Sequence, residues 1–443
     1  MTSGDIIKKI AKGKVKFVEL NFTDIFGVGK TIEIPVSQVE GAFENGVWFD
    51  GSSIKGFARV MESDMYLKPD PKTYAVVHDS KDYKTARMFC DIYESNGRPL
   101  LVDPRTALKR CIDKFEKKGY HVKLGPEVEF YLLEKNQNGT YVTPEFDKHS
   151  YFDNPVEDLG SLVRKEVMDA LGEYGISSER GHHEVGQGQH EIGFKYGDPL
   201  ETADRVMTLK RVVKSVAQKR NLLATFMPKP FYGKAGSGMH VHFSVFDKDD
   251  KPLFYDNADQ YHLSDFGKHF IAGIMSHVKE TTAVLNPTIN SYKRLVKGFE
   301  APVYICWGDQ NRSSLIRIPR YTEGRKSSAR AELRSPDVAS CPYMAFLSII
   351  EAGMDGVEQE LYLGKPTNDS VYNMSDEELS RSDIEILPRS LEEALGYLEK
   401  SAFMKHALGS DLFERYISGK KQELDDFKIK VTDWETDRYL KNS

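Results

Sequence analysis

Several features that define special classes of protein are scarce or missing in this sequence. No apolar run approaches the ~18 residues that a membrane span needs. The 443 residues include only four cysteines, which lie far apart and form no CxxC pair, so we expect reduced thiols in a cytoplasmic protein. The amino terminus lacks the apolar segment of a signal peptide and is predicted to form a short amphipathic helix.

An excess of positive charge is missing as well. The formal net charge is −6 at pH 7, which gives no electrostatic support for nucleic-acid binding. With 40% hydrophobic and 29% charged residues, the composition is ordinary for a soluble globular protein. The sequence shows no internal repeat, no low-complexity stretch and no GxxxxGK[ST] phosphate-binding loop.

The first quarter of the chain differs in pattern from the rest. Residues 15–100 alternate between strand-like runs and turns, which predicts a small β-rich domain. A helix is expected to follow, with Asp103 as N-cap and Pro104 at the first helical position. We therefore predict domains of residues 1–103 and 104–443. In the second, strands occur partly in hairpin-like pairs, which favours an α+β fold with a largely antiparallel sheet backed by helices.

Six side chains from separate segments form a candidate ligand set for divalent cations: Glu127, Glu129, Glu184, Glu191, His240 and Glu332. Glu127 and Glu129 are two apart in a strand-like run, so both leave the same face. A single Glu-X-Glu is usually the solvated face of a sheet. Here, however, glycine or proline lies beside the acids and arginine-rich segments follow. Oxygen-rich sites with one imidazole suit magnesium or manganese better than zinc.

Arginines punctuate the strand-like segments after residue 290: Arg294, Arg312, Arg317, Arg330 and Arg334. Arg330, Glu332 and Arg334 alternate along one strand, which places guanidinium groups on either side of a candidate metal ligand. Arginine binds carboxylate and phosphate through paired hydrogen bonds and keeps its charge when partly buried. The pattern suits a phosphate held between metals and arginines, as phosphoryl transfer requires.

Two further segments are candidates for substrate contact. Gly236-Ser237-Gly238 would let the backbone approach a ligand closely. Residues 296–304 contain Gly298, Glu300 and Pro302, which predicts a mobile loop whose carboxylate could cover a site. A plain surface loop is the simpler interpretation of that segment taken alone.

From about residue 15 onward, ten motifs in order make the chain resemble type I glutamine synthetase. They are FTDIFG (22–27), FDGSSIKGF (49–57), ESDMYLKPD (62–70), GPEVEF (125–130), HHEVGQGQHEI (182–192), FMPKP (226–230), GSGMHVHFS (236–244), NPTINSYKRLVKGFEAP (286–302), NRSSLIRIP (311–319) and RAELRSPD (330–337). The resemblance implies a β-grasp domain followed by a catalytic domain with a curved sheet. It also implies ATP-dependent ligation of ammonium to the γ-carboxylate of L-glutamate through γ-glutamyl phosphate, a reaction of nitrogen metabolism.

The resemblance further implies two or more Mg²⁺ (or Mn²⁺) ions per active site. Glu129, Glu184 and Glu191 are similar to ligands of the metal nearer glutamate. Glu127, His240 and Glu332 are similar to ligands of the metal nearer the nucleotide phosphates. The other contacts that it implies are those of Gly236 and Arg294 with glutamate, of Arg312 and Arg334 with the transferred phosphate, and of His182, Ser244, Arg317 and Arg330 with the nucleotide.

Two carboxylates are similar to residues of the ammonium site. Glu300 resembles the flap carboxylate that shields the acyl phosphate, and Asp24 resembles the aspartate that deprotonates ammonium in a neighbouring subunit. The family assembles as a dodecamer of two hexameric rings, which implies active sites between subunits. The short region 364–390 resembles the branch without the adenylylation insertion, so we expect a structural role for Tyr372. Arg59 is similar to an arginine that takes part in feedback inhibition by glutamine.

Three residues depart from the family pattern. Ala235 stands in place of asparagine, Lys297 in place of proline and Phe299 in place of tyrosine. These substitutions bear on how tightly glutamate and ammonium bind and leave the reaction class unchanged. Two alternatives remain open: a γ-glutamyl ligase for a polyamine or another amine, and a catalytically silent homologue. Asp24 and Glu300 are retained, which favours ammonium. Pseudoenzymes usually lose metal ligands or phosphate-binding arginines, and this sequence has lost neither.

Overall fold

The computed structural model describes residues 1–54, 56, 64–77, 83–153, 158–309, 313–367, 371–374, 379 and 384–440. Arg59 and Arg312 lie outside the described residues. The four cysteines are buried and free. Within the described ranges, no helix combines the length and apolarity that a transmembrane span requires.

A small mixed sheet and two helices form the N-terminal region. The helices are α1 (Ser3–Gly13) and α2 (Val39–Asn45), and the strands are β1 (Phe17–Thr23), β2 (Gly29–Pro35), β3 (Val47–Asp50), β4 (Asp64–Pro69), β5 (Ala75–Val77) and β6 (Thr85–Glu94). The main path of the sheet is β2-β1-β6-β4-β3, and β5 also pairs with β6. Strand β1 runs parallel to β6 and antiparallel to β2. A Thr2–Asp5 capping box starts α1, which buries Ile6 and Ile10.

A larger sheet forms the centre of the remaining chain. Its strands are β7 (Tyr120–Lys135), β8 (Tyr141–Val142), β9 (Ser178–His183), β10 (Gln189–Phe194), β11 (Leu223–Thr225), β12 (Met239–Asp247), β13 (Tyr304–Gly308), β14 (Ser314–Arg317), β15 (Ala331–Leu333) and β16 (Glu385–Ile386). The order is β16-β13-β14-β15-β12-β7-β10-β9, with β8 and β11 paired to β7. All described pairings except β13 with β14 are antiparallel, so the predicted α+β class with a largely antiparallel sheet is confirmed.

Helices complete this region, and several of them pack against strands of the sheet. They are α3 (Pro104–Glu116), α4 (Leu159–Glu173), α5 (Pro199–Lys219), α6 (Asp265–Leu285), α7 (Ser291–Arg294), α8 (Pro342–Glu358), α9 (Leu391–Lys400), α10 (Ala402–Leu408), α11 (Ser410–Lys428) and α12 (Asp433–Tyr439). The predicted start of α3 is confirmed, because the Asp103 side chain accepts hydrogen bonds from the backbone of Arg105 and Thr106. Helices α9 and α10 are separate, since the Ser401 side chain accepts a hydrogen bond from the Met404 amide and so caps a new helix.

The buried Arg105 joins the N-terminal sheet to the larger region through three ion pairs. Its guanidinium lies 2.9 Å from Asp70, 2.6 Å from Asp91 and 2.9 Å from Asp204. Asp70 and Asp91 belong to the N-terminal region, and Asp204 lies on α5. One side chain therefore ties together segments far apart in sequence, and we call these four residues the Arg105 cluster.

Candidate active site

The register of the large sheet brings the predicted ligands onto one face. Glu129 of β7 lies opposite Glu191 of β10, and Glu127 lies opposite His240 of β12. Directly paired residues of antiparallel strands point to the same side. Between the two glutamates, Val128 points the other way and is fully buried in the core. The predicted alternation of β7 is therefore confirmed: carboxylates face one side and apolar side chains the other.

The first group of donors is Glu127, His240 and Glu332. One donor atom from each lies within 4.8 Å of the other two. Nδ1 of His240 is 3.5 Å from Oε1 of Glu332 and 3.7 Å from Oε2 of Glu127. Burial alone would raise the pKa of Glu127, but the rings of His240 and His242 hold that pKa well below its usual range. The structure thus brings together the trio that the motifs indicated.

The second group has a composition that differs from the expected trio. Donor atoms of His182, Glu184 and Glu191 lie within 4.8 Å of one another. Glu129 sits between the two groups: its Oε2 accepts hydrogen bonds from the Gly238 amide (2.9 Å) and from Gln189 Nε2 (3.0 Å). His182, expected to contact the nucleotide, therefore lies among the candidate metal ligands.

The carboxylates of the second group repel one another. Burial and the neighbouring charge of Glu129 raise the pKa of Glu184 to about 8. Burial, followed by the charges of Glu127 and Glu129, raises the pKa of Glu191 to about 10. The Nε of Arg180 lies 3.8 Å from Glu191, but its charge does not offset the burial and repulsion that raise these pKa values.

The donor sets fit divalent metal ions. Oε1 of Glu191 and Nδ1 of His182 are buried and have no hydrogen-bond partner among the described residues, which is costly unless another group binds there. Clustered carboxylates with one imidazole are the donors that hard divalent cations accept. A bound cation would remove the repulsion among these carboxylates.

A cavity of about 250 Å³ opens over both donor groups. It is also lined by Gly236, Arg294, Glu300, Arg317 and Arg334. The predicted ligands and most predicted substrate contacts are therefore neighbours in space.

Arg294 and Gly236 form one wall of this cavity. The guanidinium of Arg294 donates hydrogen bonds to the carbonyls of Ser335 (2.8 Å) and Arg334 (3.1 Å), which fixes its position. A Cβ at Gly236 would lie 2.7 Å from Cγ of Arg294 and 2.8 Å from the Pro228 carbonyl oxygen. Glycine is needed here because the loop passes so close to the arginine.

Two arginines of the cavity lining flank Glu332. Nε of Arg317 donates to Oε2 of Glu332 at 2.6 Å, and Nε of Arg334 lies 3.7 Å from Oε1. The Arg334 Nε is buried and has no hydrogen-bond partner in the part of the chain that the structure describes. These guanidinium groups can hold negative charge beside the first donor group.

An adjoining cavity of about 290 Å³ contains the other predicted nucleotide contacts. Ser244 and Arg330 line it together with His242, and it shares Glu127 and Arg180 with the first cavity. The four residues predicted to contact the nucleotide are therefore divided between two adjacent cavities, with His182 and Arg317 in the first.

Asp24 lies away from the cavities of its own chain. Its Oδ1 accepts hydrogen bonds from the amides of Phe26 (3.0 Å) and Val28 (2.9 Å), and its Oδ2 is 3.4 Å from Nζ of Lys30. Asp24 lines neither cavity described above. Within one chain, the structure does not bring it together with the other predicted residues.

Two contributors to the site were missed by the sequence analysis. Arg180 on β9 is hydrogen-bonded to Glu127 and lies 3.8 Å from Glu191. Gln189 bridges Oε2 of Glu129 and the Gly236 carbonyl, each at 3.0 Å. The signal for Arg180 was its spacing of two from His182 on a strand, which is the same alternation that identified Glu127 and Glu129.

Comparison with known proteins agrees with this geometry. The family model for the glutamine synthetase catalytic domain matches residues 101–439. The chain belongs to the glutamine synthetase family. The model for the glutamine synthetase beta-Grasp domain matches residues 14–95, which confirms the predicted small domain type.

Relatives match along almost the whole chain. Glutamine synthetase of Halobacterium salinarum is 43% identical over 437 residues, covering 98% of this chain and 96% of that protein. Glutamine synthetase of Thermus thermophilus is 44% identical over 444 residues, covering 99% of each. Among solved structures, Plasmodium falciparum glutamine synthetase superposes with a TM-score of 0.88 at 26% identity, covering 99% of each chain. A structure described as the GmaS/ADP complex has a TM-score of 0.88 at 30% identity, covering 98% of this chain and 99% of that one.

These likenesses confirm the predicted glutamate–ammonia ligase activity. The substrates of the glutamine synthetase family are glutamate, ammonium and ATP, and the family uses divalent metal ions.

Proposed function

We propose that the cavity over the two donor groups is where this chain phosphorylates glutamate and then replaces the phosphate with ammonia. The observation that carries this proposal is that both donor groups, Arg294, Arg334 and Glu300 line a single cavity. Each of these groups has a task in making and protecting an acyl phosphate.

The arginines bind and orient the reacting groups. Arg294 has two N–H groups committed to carbonyls, and its remaining donors suit the α-carboxylate of glutamate. Arg334 and Arg317 stabilise negative charge on the transferring phosphoryl group, and we assign the same task to Arg312. Gly236 allows glutamate to lie against the backbone. Glu300 covers the acyl phosphate and contributes to binding ammonium.

We assign the remaining roles to metal and nucleotide binding. Glu127, His240 and Glu332 would hold one divalent ion and Glu129, Glu184 and Glu191 another, with His182 adjacent. Magnesium or manganese suits these donors. When bound, the ions neutralise charge on the phosphates and on the attacking carboxylate. Ser244 and Arg330 would contact the nucleotide in the adjoining cavity, which both residues line.

We further propose that the enzyme is a cytoplasmic dodecamer of the short-loop type I branch. Free, buried thiols support a reducing compartment. Asp24 is proposed to accept the ammonium proton in the site of a second subunit, because it lies apart from the cavity of its own chain. Mixing Asp24→Ala with Glu332→Ala protein should restore some activity in mixed oligomers. Recovery would be absent if each site belonged to one chain.

Regulation is assigned to one residue on resemblance. Arg59→Ala should leave turnover largely intact and weaken inhibition by glutamine, measured as the glutamine concentration for half inhibition. Unchanged inhibition would refute a regulatory role for Arg59.

A second candidate is a γ-glutamyl ligase for another amine. Ala235 and Phe299, two of the departures from the family pattern, both line the cavity and so stand where acceptor choice is made. Product analysis with ATP, glutamate and magnesium should distinguish the candidates, comparing ammonium with putrescine, spermidine and ethanolamine. We expect glutamine from ammonium and little γ-glutamylamide from the amines. Efficient amide formation from an amine would replace the proposed acceptor and keep the mechanism.

A further inference from the structure

The loop that carries Glu300 is fastened on both sides of this residue. Before it, the Phe299 ring lies 3.6 Å from Nζ of Lys229, within the range of a cation–π contact. After it, the Ala301 carbonyl accepts a hydrogen bond from the Tyr372 hydroxyl. The proposed flap carboxylate therefore sits between two anchored neighbours.

The backbone of Glu300 needs such anchoring. Its φ is 60°, in the left-handed region that side chains other than glycine rarely adopt. A conformation of this kind persists where the surroundings hold it, and it is often found at functional sites. The Tyr372 hydrogen bond holds the carbonyl of Ala301, the residue that directly follows this strained one.

Tyr372 belongs to a small hydrophobic cluster separate from the main core. Tyr304, Cys306 and Val371 are its buried members, and Tyr372 packs against them. Tyr304 and Cys306 lie on β13, which begins four residues after Glu300, at the end of the loop that carries it. The Leu387 amide donates to the Val303 carbonyl at 2.9 Å, which adds the β16 segment. The cluster forms a base beneath the flap.

The Tyr372 hydroxyl is the donor in this contact, because a carbonyl oxygen can only accept. Burial raises the pKa of Tyr372 to about 12, although the nearby Arg334 opposes the rise. The phenol therefore keeps its proton at neutral pH and can donate a hydrogen bond to the Ala301 carbonyl.

We propose that Tyr372 is a positioning residue that holds Glu300 over the cavity through the Ala301 carbonyl and so protects γ-glutamyl phosphate from water. This role rests on the proposed function of Glu300. Without the shield, water attacks the acyl carbon and the bond from that carbon to the phosphate oxygen breaks. Glutamate and phosphate are regenerated, and the net reaction becomes hydrolysis of ATP to ADP and phosphate without glutamine.

The test is the amount of ADP formed per glutamine in Tyr372→Phe at limiting ammonium. Phenylalanine keeps the ring in the cluster and removes only the donor. We expect the ratio to rise about 3- to 10-fold, the range that loss of one hydrogen bond produces. The KM for ammonium should rise more than the KM for glutamate, since the glutamate contacts are untouched.

Tyr416→Phe is the matched control. Its hydroxyl also donates to an alanine carbonyl, that of Ala283 at 2.7 Å, in the buried core away from the cavity. We expect this variant to unfold at a lower temperature and to keep the wild-type ratio of ADP to glutamine.

The outcomes separate the proposal from its premise. A wild-type ratio in Tyr372→Phe overturns the positioning role, and so does an equal rise in Tyr416→Phe. Glu300→Ala tests the premise and should uncouple more strongly than Tyr372→Phe. If Tyr372→Phe uncouples while Glu300→Ala does not, Tyr372 acts by another route and the proposal is wrong. Failure of the wild-type enzyme to form glutamine from ammonium would instead refute the function.

Discussion

Two regions of this molecule bury several carboxylates, and they treat the charge in opposite ways. In the Arg105 cluster, Asp70, Asp91 and Asp204 surround one guanidinium at hydrogen-bonding distance. At the candidate active site, Glu184 and Glu191 face other glutamates across the sheet with no comparable match.

The charge balance shows in the titration of the two regions. Burial alone would raise the pKa of Asp70, but the charge of Arg105 lowers it. Burial alone would lower the pKa of Arg105, but Asp204 and Asp91 raise it. At Glu184 and Glu191 the shifts run the other way, because burial and the charges of neighbouring glutamates raise both pKa values. A balanced cluster serves stability, and an unbalanced one indicates a site for a cation.

Breaking the Arg105 cluster should have the largest effect on stability. Asp204→Asn keeps the shape and removes one charge, so we expect a loss of about 3 kcal/mol in the free energy of unfolding. Urea denaturation of metal-free protein would measure it. Glu201→Gln is the control, because Glu201 lies on the same helix and makes only an exposed pair with Arg205; its effect should stay below about 0.5 kcal/mol. Equal losses would mean that the cluster is not special.

Removing one carboxylate from the candidate active site should lower activity without lowering the stability of the metal-free protein. Glu191→Gln should lower turnover by ~10²-fold or more, since it removes a proposed metal ligand. Metal-free stability should not fall, because glutamine is neutral and avoids the free-energy cost of burying this acid beside other glutamates, the cost that raises the pKa of Glu191. Steady-state kinetics and denaturation in EDTA give the two values. A large loss of stability without metal would show that Glu191 is balanced after all.

Addition of a divalent cation should stabilise the protein by binding at the candidate active site, and it should have no such effect through the Arg105 cluster. Magnesium or manganese at ten times its Kd adds about 1.4 kcal/mol for each ion that binds. Asp204→Asn should keep the whole gain, and Glu191→Gln should lose the share of the ion held by the second donor group. Thermal unfolding with and without the ion would measure both. An undiminished gain in Glu191→Gln would place the ion elsewhere.

The smallest expected effect is a pH dependence of the stability that the Arg105 cluster contributes. The folded pKa of Asp70 is lowered, so its stabilisation is present above the ordinary value of 3.8 and is lost as the pH falls through the folded value. Asp70→Asn should therefore destabilise the protein at pH 7, and the difference should shrink below about pH 4. A constant difference down to the most acidic pH at which the protein folds would argue against this ion pair.

Much of the site was predictable because strand alternation is a local property. Glu127 and Glu129 had to share a face, and the hairpin holding Glu184 and Glu191 followed from its turn. The sequence could not show that His182 would stand among these acids. That depends on its pairing with Glu191 across two strands, and spacing along the chain does not report such register.

Helix boundaries were predicted well where capping residues mark them in the sequence and less well elsewhere. Asp103 and Pro104 correctly marked the start of α3. The division between α9 and α10 depends on Ser401, whose side chain acts as a cap by accepting a hydrogen bond from the Met404 amide, and the sequence alone does not show that contact. The Tyr372 contact with Ala301 joins segments that no short motif connects.

Strand β7 carries a consequence for how errors in this protein would appear. It pairs with β8, β10, β11 and β12, and its alternation assigns Glu127 and Glu129 to the cavity and Val128 to the core. A slip of one residue would exchange these faces, burying acids and exposing apolar groups. A protomer built with that mistake could neither pack nor bind substrate. Correct folding and catalytic activity therefore both depend on the register of this strand.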